Sequence, residues 1–107
     1  MPRLVVSLQA QADTTYVIRD LAAKAGMAVA AKYAAAFENL FDRLLQFPDS
    51  GAPRPAIAQH ARIGVVSPYI VIYEFDAATS DAVTIMRVVH GRRRITGKLL
   101  LTDLPTR

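Results

Sequence analysis

Histidine, glycine and arginine crowd one nine-residue stretch, Arg87-Val-Val-His-Gly-Arg-Arg-Arg-Ile95. An imidazole can move a proton near neutral pH, and guanidinium groups grip phosphates or carboxylates with paired hydrogen bonds. Acid-base chemistry, nucleic-acid binding and protein binding must therefore each be weighed. General acid-base catalysis needs two positioned groups, and His90 has no acid or base beside it in sequence. His60, the other histidine, falls in a loop, and the two lack the spacing of metal ligands. No catalytic set and no metal site follow from these residues. Three adjacent arginines are few for strong phosphate binding, and neither a recognition helix nor an RNA-stacking sheet motif accompanies them. Direct sequence-specific nucleic-acid binding is not expected. A partner-binding surface is, made of Arg87, His90, Arg92, Arg93 and Arg94, with Gly91 as the structural turn that swings the cations off the strand end. The plainer reading keeps His90 as a turn-fixing imidazole and the arginines as solvated charges guarding a sheet edge. Arg87 stands apart, because strand alternation places it on one face with Ile85 and Val89, where a covered guanidinium must find a partner. Glu74, Asp76 or a second chain can supply one.

These residues need a scaffold. Leu4-Val-Val-Ser-Leu8 reads as a first strand. From about Ala12 to Ala25, Val17, Ile18, Leu21, Ala22 and Ala25 recur at helical spacing, with Asp13 or Thr14 as N-cap and Gly26 as the stop. A longer helix runs from Met27 or Ala28 to Phe47, its stripe Tyr33, Phe37, Leu40, Phe41 and Leu44 spaced for burial. With little more than Gly26 between them, the helices must fold back as an antiparallel hairpin. Three prolines and a glycine between Phe47 and Pro55 forbid further helix. Three β-rich runs follow: Arg62–Val66, Tyr69–Phe75 and Ala82–Val89. Ser67-Pro68 and the Asp76–Asp81 segment are good turn chemistry, so an antiparallel meander is expected. Both faces of its last two runs are largely apolar. The hairpin covers one face, and the C-terminal tail or a partner covers the other.

Composition narrows the setting. A chain of 107 residues forms one domain, residues 1–107, with a tail from about 96 to 107. Its 52% apolar content leans on alanine, and Lys32 and Glu38 break the richest segment, so no membrane span is expected. The N-terminus is too short in its apolar part for a signal peptide, and the absence of cysteine fits a cytoplasmic protein. Residues 1–50 carry balanced charge, so the formal excess of +4 belongs to the second half. A localised positive field speaks to partners rather than to fold. No dinucleotide or P-loop glycine pattern occurs, and no cofactor is implied.

Three motifs in this order resemble the RelE/ParE superfamily of toxins from type II toxin-antitoxin systems, and ParE above all. Phe47 to Pro53 matches its F-P-x-S-G-x-P loop, Tyr69 to Tyr73 its Y-x-[VIL]-[VIL]-Y strand, and Val88 to Arg93 its V-x-H-G-R-R strand end. Order and spacing agree from about Val5 to Ile95. The resemblance implies an α+β fold with N-terminal strand, antiparallel helical hairpin and antiparallel β-sheet, in the order β-α-α-β-β-β. It also implies a cognate antitoxin that neutralises the toxin in a hetero-oligomer. RelE-like members cut messenger RNA on the ribosome, whereas ParE-like members inhibit DNA gyrase without an established catalytic step. The ribonucleases commonly place an arginine where this chain has Ile70, and an aromatic residue after the basic motif, where this chain has none. The resemblance therefore points to gyrase inhibition, with a ribonuclease using His90 and Arg87 as the alternative.

Overall fold

The computed structural model describes residues 2–93 and 96–101. Strand β1 (Arg3–Val6) is followed by helices α1 (Leu8–Ala25) and α2 (Met27–Gln46), then by β2 (Ala52–Pro53), β3 (Ala61–Val66), β4 (Tyr69–Glu74) and β5 (Ala82–His90). A 3-10 turn over Gly97–Leu101 closes the described chain. The strands form one sheet in the order β1-β5-β4-β3-β2. The β3-β4-β5 meander is antiparallel, as its turns require, whereas β1 pairs parallel with β5, from Arg3 opposite Ala82 to Val6 opposite Ile85. The sheet is therefore mixed, because the two helices carry the chain back across it before the meander begins.

The first strand ends earlier than its apolar run suggests, and the reason is Ser7. Its hydroxyl accepts from the Ala10 N–H at 3.1 Å, making Ser7 the N-cap of α1, and donates to the Met86 carbonyl at 2.9 Å. Leu8 thus opens the helix, almost fully exposed. Asp13 and Thr14, the expected caps, lie inside α1, and the Thr14 hydroxyl donates to the Ala10 carbonyl at 2.8 Å. Gly26 alone joins the helices; its φ of 95° is a left-handed value that a side chain would strain, and its N–H closes α1 on the Ala22 carbonyl.

The hairpin packs on one sheet face. Ala10, Val17, Phe37, Leu40 and Leu44 meet Tyr69, Val71, Tyr73, Val83, Ile85 and Val88, while Tyr33 and Phe41 pack half-buried at the margin of this core. A second, smaller cluster fills the opposite face, where Ile57 and Ala61 join Ile72 and Val89. Leu100 of the 3-10 turn packs against it, so this turn and the loop before β3 both pack on the outer face. Among the described residues no helix is long and apolar enough to cross a membrane.

Candidate functional site

At the centre of the fold lies an ion pair. Opposite the step from Ile72 to Tyr73, β5 carries an extra residue, since Ile72 pairs with Arg87 and Tyr73 with Ile85. This bulge breaks the alternation, so Ile85 packs on the hairpin side and Val89, expected on the same face, packs on the opposite one, while the Arg87 side chain reaches α1. There its Nε donates to Asp13 Oδ2 at 2.6 Å and its Nη2 to Asp13 Oδ1 at 2.9 Å, with both side chains only 1% exposed. The same carboxylate accepts from the Val88 N–H at 2.9 Å. Neither Glu74, Asp76 nor a second chain is needed. Arg87, grouped above with the partner-binding arginines, is corrected on this point: it is buried and holds α1 to β5. Sequence reasoning missed Asp13 because an aspartate near a helix start looks like a cap. Its position four residues before Val17, on the buried stripe, was the available signal.

A cleft of about 440 Å³ opens between α1 and the end of β5. Asp13, Tyr16, Val17, Asp20 and Lys24 line it from the helix, and Tyr69, Val88, Val89, His90, Arg92 and Arg93 from the sheet. Tyr69 is its aromatic centre. Tyr33 meets it edge-on with ring centroids 5.8 Å apart, Phe37 at 5.9 Å and His90 at 5.7 Å. Burial first, then the neighbouring Tyr33 and Asp20, push the Tyr69 hydroxyl above the ordinary tyrosine range, so it stays protonated at neutral pH. On the helix rim Lys24 Nζ reaches Asp20 at 3.1 Å.

His90 Nδ1 accepts the Arg92 N–H at 3.0 Å, and the Arg93 N–H reaches the His90 carbonyl at 2.9 Å. The imidazole thereby orders the turn that carries the cations. Arg92 is exposed and Arg93 half-buried; Arg94 lies outside the described residues. Gly91 is needed for a close approach and not for an unusual dihedral, since its φ is not left-handed. Its N–H donates to the Pro68 carbonyl at 2.7 Å, and a Cβ there would stand 3.0 Å from the same oxygen. His60 pairs with Asp76 at 3.2 Å. That pair flanks the Ala61–Glu74 end of the β3-β4 ladder, whereas His90 sits opposite Tyr69 at the other end, so the two histidines cannot share a reaction. Among the described residues no group of three potential ligands could hold a metal ion.

The proline-rich loop has a structural explanation that the sequence alone did not supply. The Tyr73 hydroxyl donates to the Pro48 carbonyl and accepts from the Gly51 N–H, both at 2.8 Å. Arg62 Nη1 adds bonds to the Asp49 and Gly51 carbonyls at 2.9 and 2.7 Å. Burial raises the Tyr73 hydroxyl pKa, opposed by the Gly51 bond and the nearby Arg62 charge. A Cβ on Gly51 would fall 2.5 Å from the Ile63 carbonyl. The last tyrosine of the strand motif therefore pins the loop motif to the sheet.

Comparison with known proteins agrees with this architecture. Residues 4–95 match the family described as the ParE toxin of the type II toxin-antitoxin system parDE. A solved structure described as a chromosomal ParDE TA system from P. aeruginosa has the same fold, with a TM-score of 0.70 and 20% sequence identity over 84% of this chain and 96% of that chain. No curated protein matches the sequence. With the family match spanning most of the sequence and the strand-hairpin-meander order in place, the chain belongs to the ParE toxin family of type II toxin-antitoxin systems.

Proposed function

We propose that this chain is the toxin of a cytoplasmic toxin-antitoxin pair, that it inhibits DNA gyrase by binding it, and that an acidic antitoxin neutralises it by covering the cleft between α1 and β5. Family membership supports the toxin role. The observation that carries the choice of a binding mechanism over RNA cleavage is the Asp13–Arg87 pair. The ribonuclease alternative pairs His90 with Arg87, and that guanidinium is buried against a carboxylate instead of facing a scissile phosphate. His90 itself spends Nδ1 on the Arg92 N–H. What reaches solvent at the strand end is a rim of cations above an apolar, aromatic floor, a surface suited to an acidic amphipathic segment.

The purified chain should inhibit supercoiling by gyrase, and addition of the protein encoded beside it should relieve the inhibition. His90→Gln should remain toxic, since glutamine can still accept the Arg92 N–H. Ribosome-dependent cleavage of messenger RNA that His90→Gln lowers about a hundredfold, with supercoiling untouched, would replace this reading by the ribonuclease.

A further inference from the structure

The outer edge of β5 changes hands along its length. β1 pairs with it as far as Val6 opposite Ile85, and the Ser7 N–H reaches the Ile85 carbonyl at 3.0 Å. Side chains then take over: the Ser7 hydroxyl donates to the Met86 carbonyl at 2.9 Å, and Asp13 accepts the Val88 N–H at 2.9 Å. Beyond Asp13 the edge opens into the cleft.

Both main-chain groups of a strand residue point to the same edge, and successive residues alternate. Because the Val88 N–H points at Asp13, the Val88 carbonyl and the His90 N–H also face outward, while Val89 turns toward β4. The His90 carbonyl is drawn into the turn by the Arg93 N–H. The edge thus offers one acceptor, on Val88, and one donor, on His90, flanking Val89. That is the pairing a parallel neighbour needs, since one of its residues donates to the first and accepts from the second. An antiparallel neighbour would need both groups of Val88 or both of His90, and each residue already has one engaged.

Resting on the antitoxin reading above, we infer that an extended segment of the antitoxin adds to this edge as a short parallel strand, taking up the line of β1 where Ser7 and Asp13 leave it. The residue opposite Val89 shares the outer face with Val89. Its two neighbours point into the cleft toward Val17 and Tyr69, which suit apolar side chains. Parallel polarity brings the C-terminal side of the segment to Arg92, where an aspartate or glutamate fits. The recognised pattern is therefore apolar, any residue, apolar, then acid.

The experiment compares His90→Ala and His90→Pro, in the full chain, for binding to the antitoxin encoded beside it. Proline removes the outward N–H and breaks no bond to β4, so an edge position tolerates it. Alanine removes the imidazole and keeps the donor. Both variants lose the imidazole and its bond to the Arg92 N–H, so the comparison between them isolates the main-chain donor: His90→Pro should bind about tenfold or more weaker than His90→Ala, the loss of one main-chain hydrogen bond. In the parent complex the His90 amide should exchange with deuterium far more slowly than in the free chain, a readout that survives should the proline variant fold poorly. A spin label at the C-terminal end of the bound segment should broaden Arg92 resonances and spare Ser7. Antitoxin binding with an unprotected His90 amide, or equal affinity of the two variants, overturns the added strand and leaves the antitoxin reading standing. The opposite labelling pattern overturns the polarity. A parent chain that does not bind its antitoxin overturns both readings together.

Discussion

Replacing one member of the Asp13–Arg87 pair should be far more damaging than replacing both. Asp13→Leu deletes the acceptor of three donors, the Arg87 Nε and Nη2 and the Val88 N–H, and leaves a guanidinium 1% exposed without its carboxylate. Breaking such a pair costs about 3–5 kcal/mol, because the remaining charge has left water and lost the opposite charge of its partner. Arg87→Met strands the carboxylate in the same way and belongs in the same range. In the double variant no charge is buried. Leucine and methionine fill similar volume, and what remains is the Val88 N–H without its acceptor, worth about 1–3 kcal/mol and partly offset by apolar packing. The double variant should therefore lose about 2 kcal/mol or less, giving a coupling of several kcal/mol. Urea unfolding followed by circular dichroism measures all four corners of the cycle. Against a total of roughly 5–15 kcal/mol, each single change should also lower Tm by about 15 °C or more. A single variant that loses under about 1 kcal/mol, or a double variant that loses the sum of both singles, refutes the reasoning.

Tyr73→Phe should cost about 1–3 kcal/mol, because it leaves the Gly51 N–H and the Pro48 carbonyl without the hydroxyl between them. Burial raises the pKa of Tyr73 above the ordinary value of 10.0, so the unfolded chain ionises first; stability is held below about pH 10 and falls above it, less steeply in the variant. Unfolding at pH 8 and at pH 11 checks the sign. Gly51→Ala should lose about 2 kcal/mol or more, since its Cβ meets the Ile63 carbonyl at 2.5 Å, whereas Gly91→Ala, at 3.0 Å from the Pro68 carbonyl, should lose less. Arg92→Ala combined with Arg93→Ala should weaken antitoxin binding, gyrase inhibition or both, and flatten their salt dependence, with far-UV circular dichroism unchanged. Unaltered binding and inhibition would move the partner surface away from this turn.

The fold was legible where patterns were long. The stripe from Tyr33 to Leu44 located α2 to within a residue at each end, and turn residues separated the three strands of the meander. What escaped was short or depended on distant partners. Strand β2 is two residues, fixed by pairing with Ile63 and Arg62 and not by any propensity of Ala52 or Pro53. The start of α1 was misread because Ser7 closes a strand and caps a helix with one hydroxyl. The parallel placement of β1 follows from topology, which local periodicity does not encode. Of the residues lining the cleft, His90, Arg92 and Arg93 could be grouped from the sequence because they lie within four positions of one another. Asp13, Tyr69 and Asp20 could not, since only the packing of α1 on β5 brings them there.

The residues that identify this family are largely those that build it. Phe47 to Pro53 is held by Tyr73 and Arg62, and Gly91 lets the chain pass the Pro68 carbonyl. His90 orders the turn through its ring nitrogen. Arg87, the most deeply placed cation of the basic stretch, is structural because it is buried against Asp13. One sheet can therefore keep every motif while the exposed remainder, meaning the cations after Gly91, the open end of the β5 edge and the helix rim at Asp20 and Lys24, changes its target. Substitutions in the first set should act through stability and alter antitoxin binding and gyrase inhibition in parallel. Substitutions in the second should separate them, and a toxin that no longer binds its antitoxin but still inhibits gyrase should arise from the second set alone.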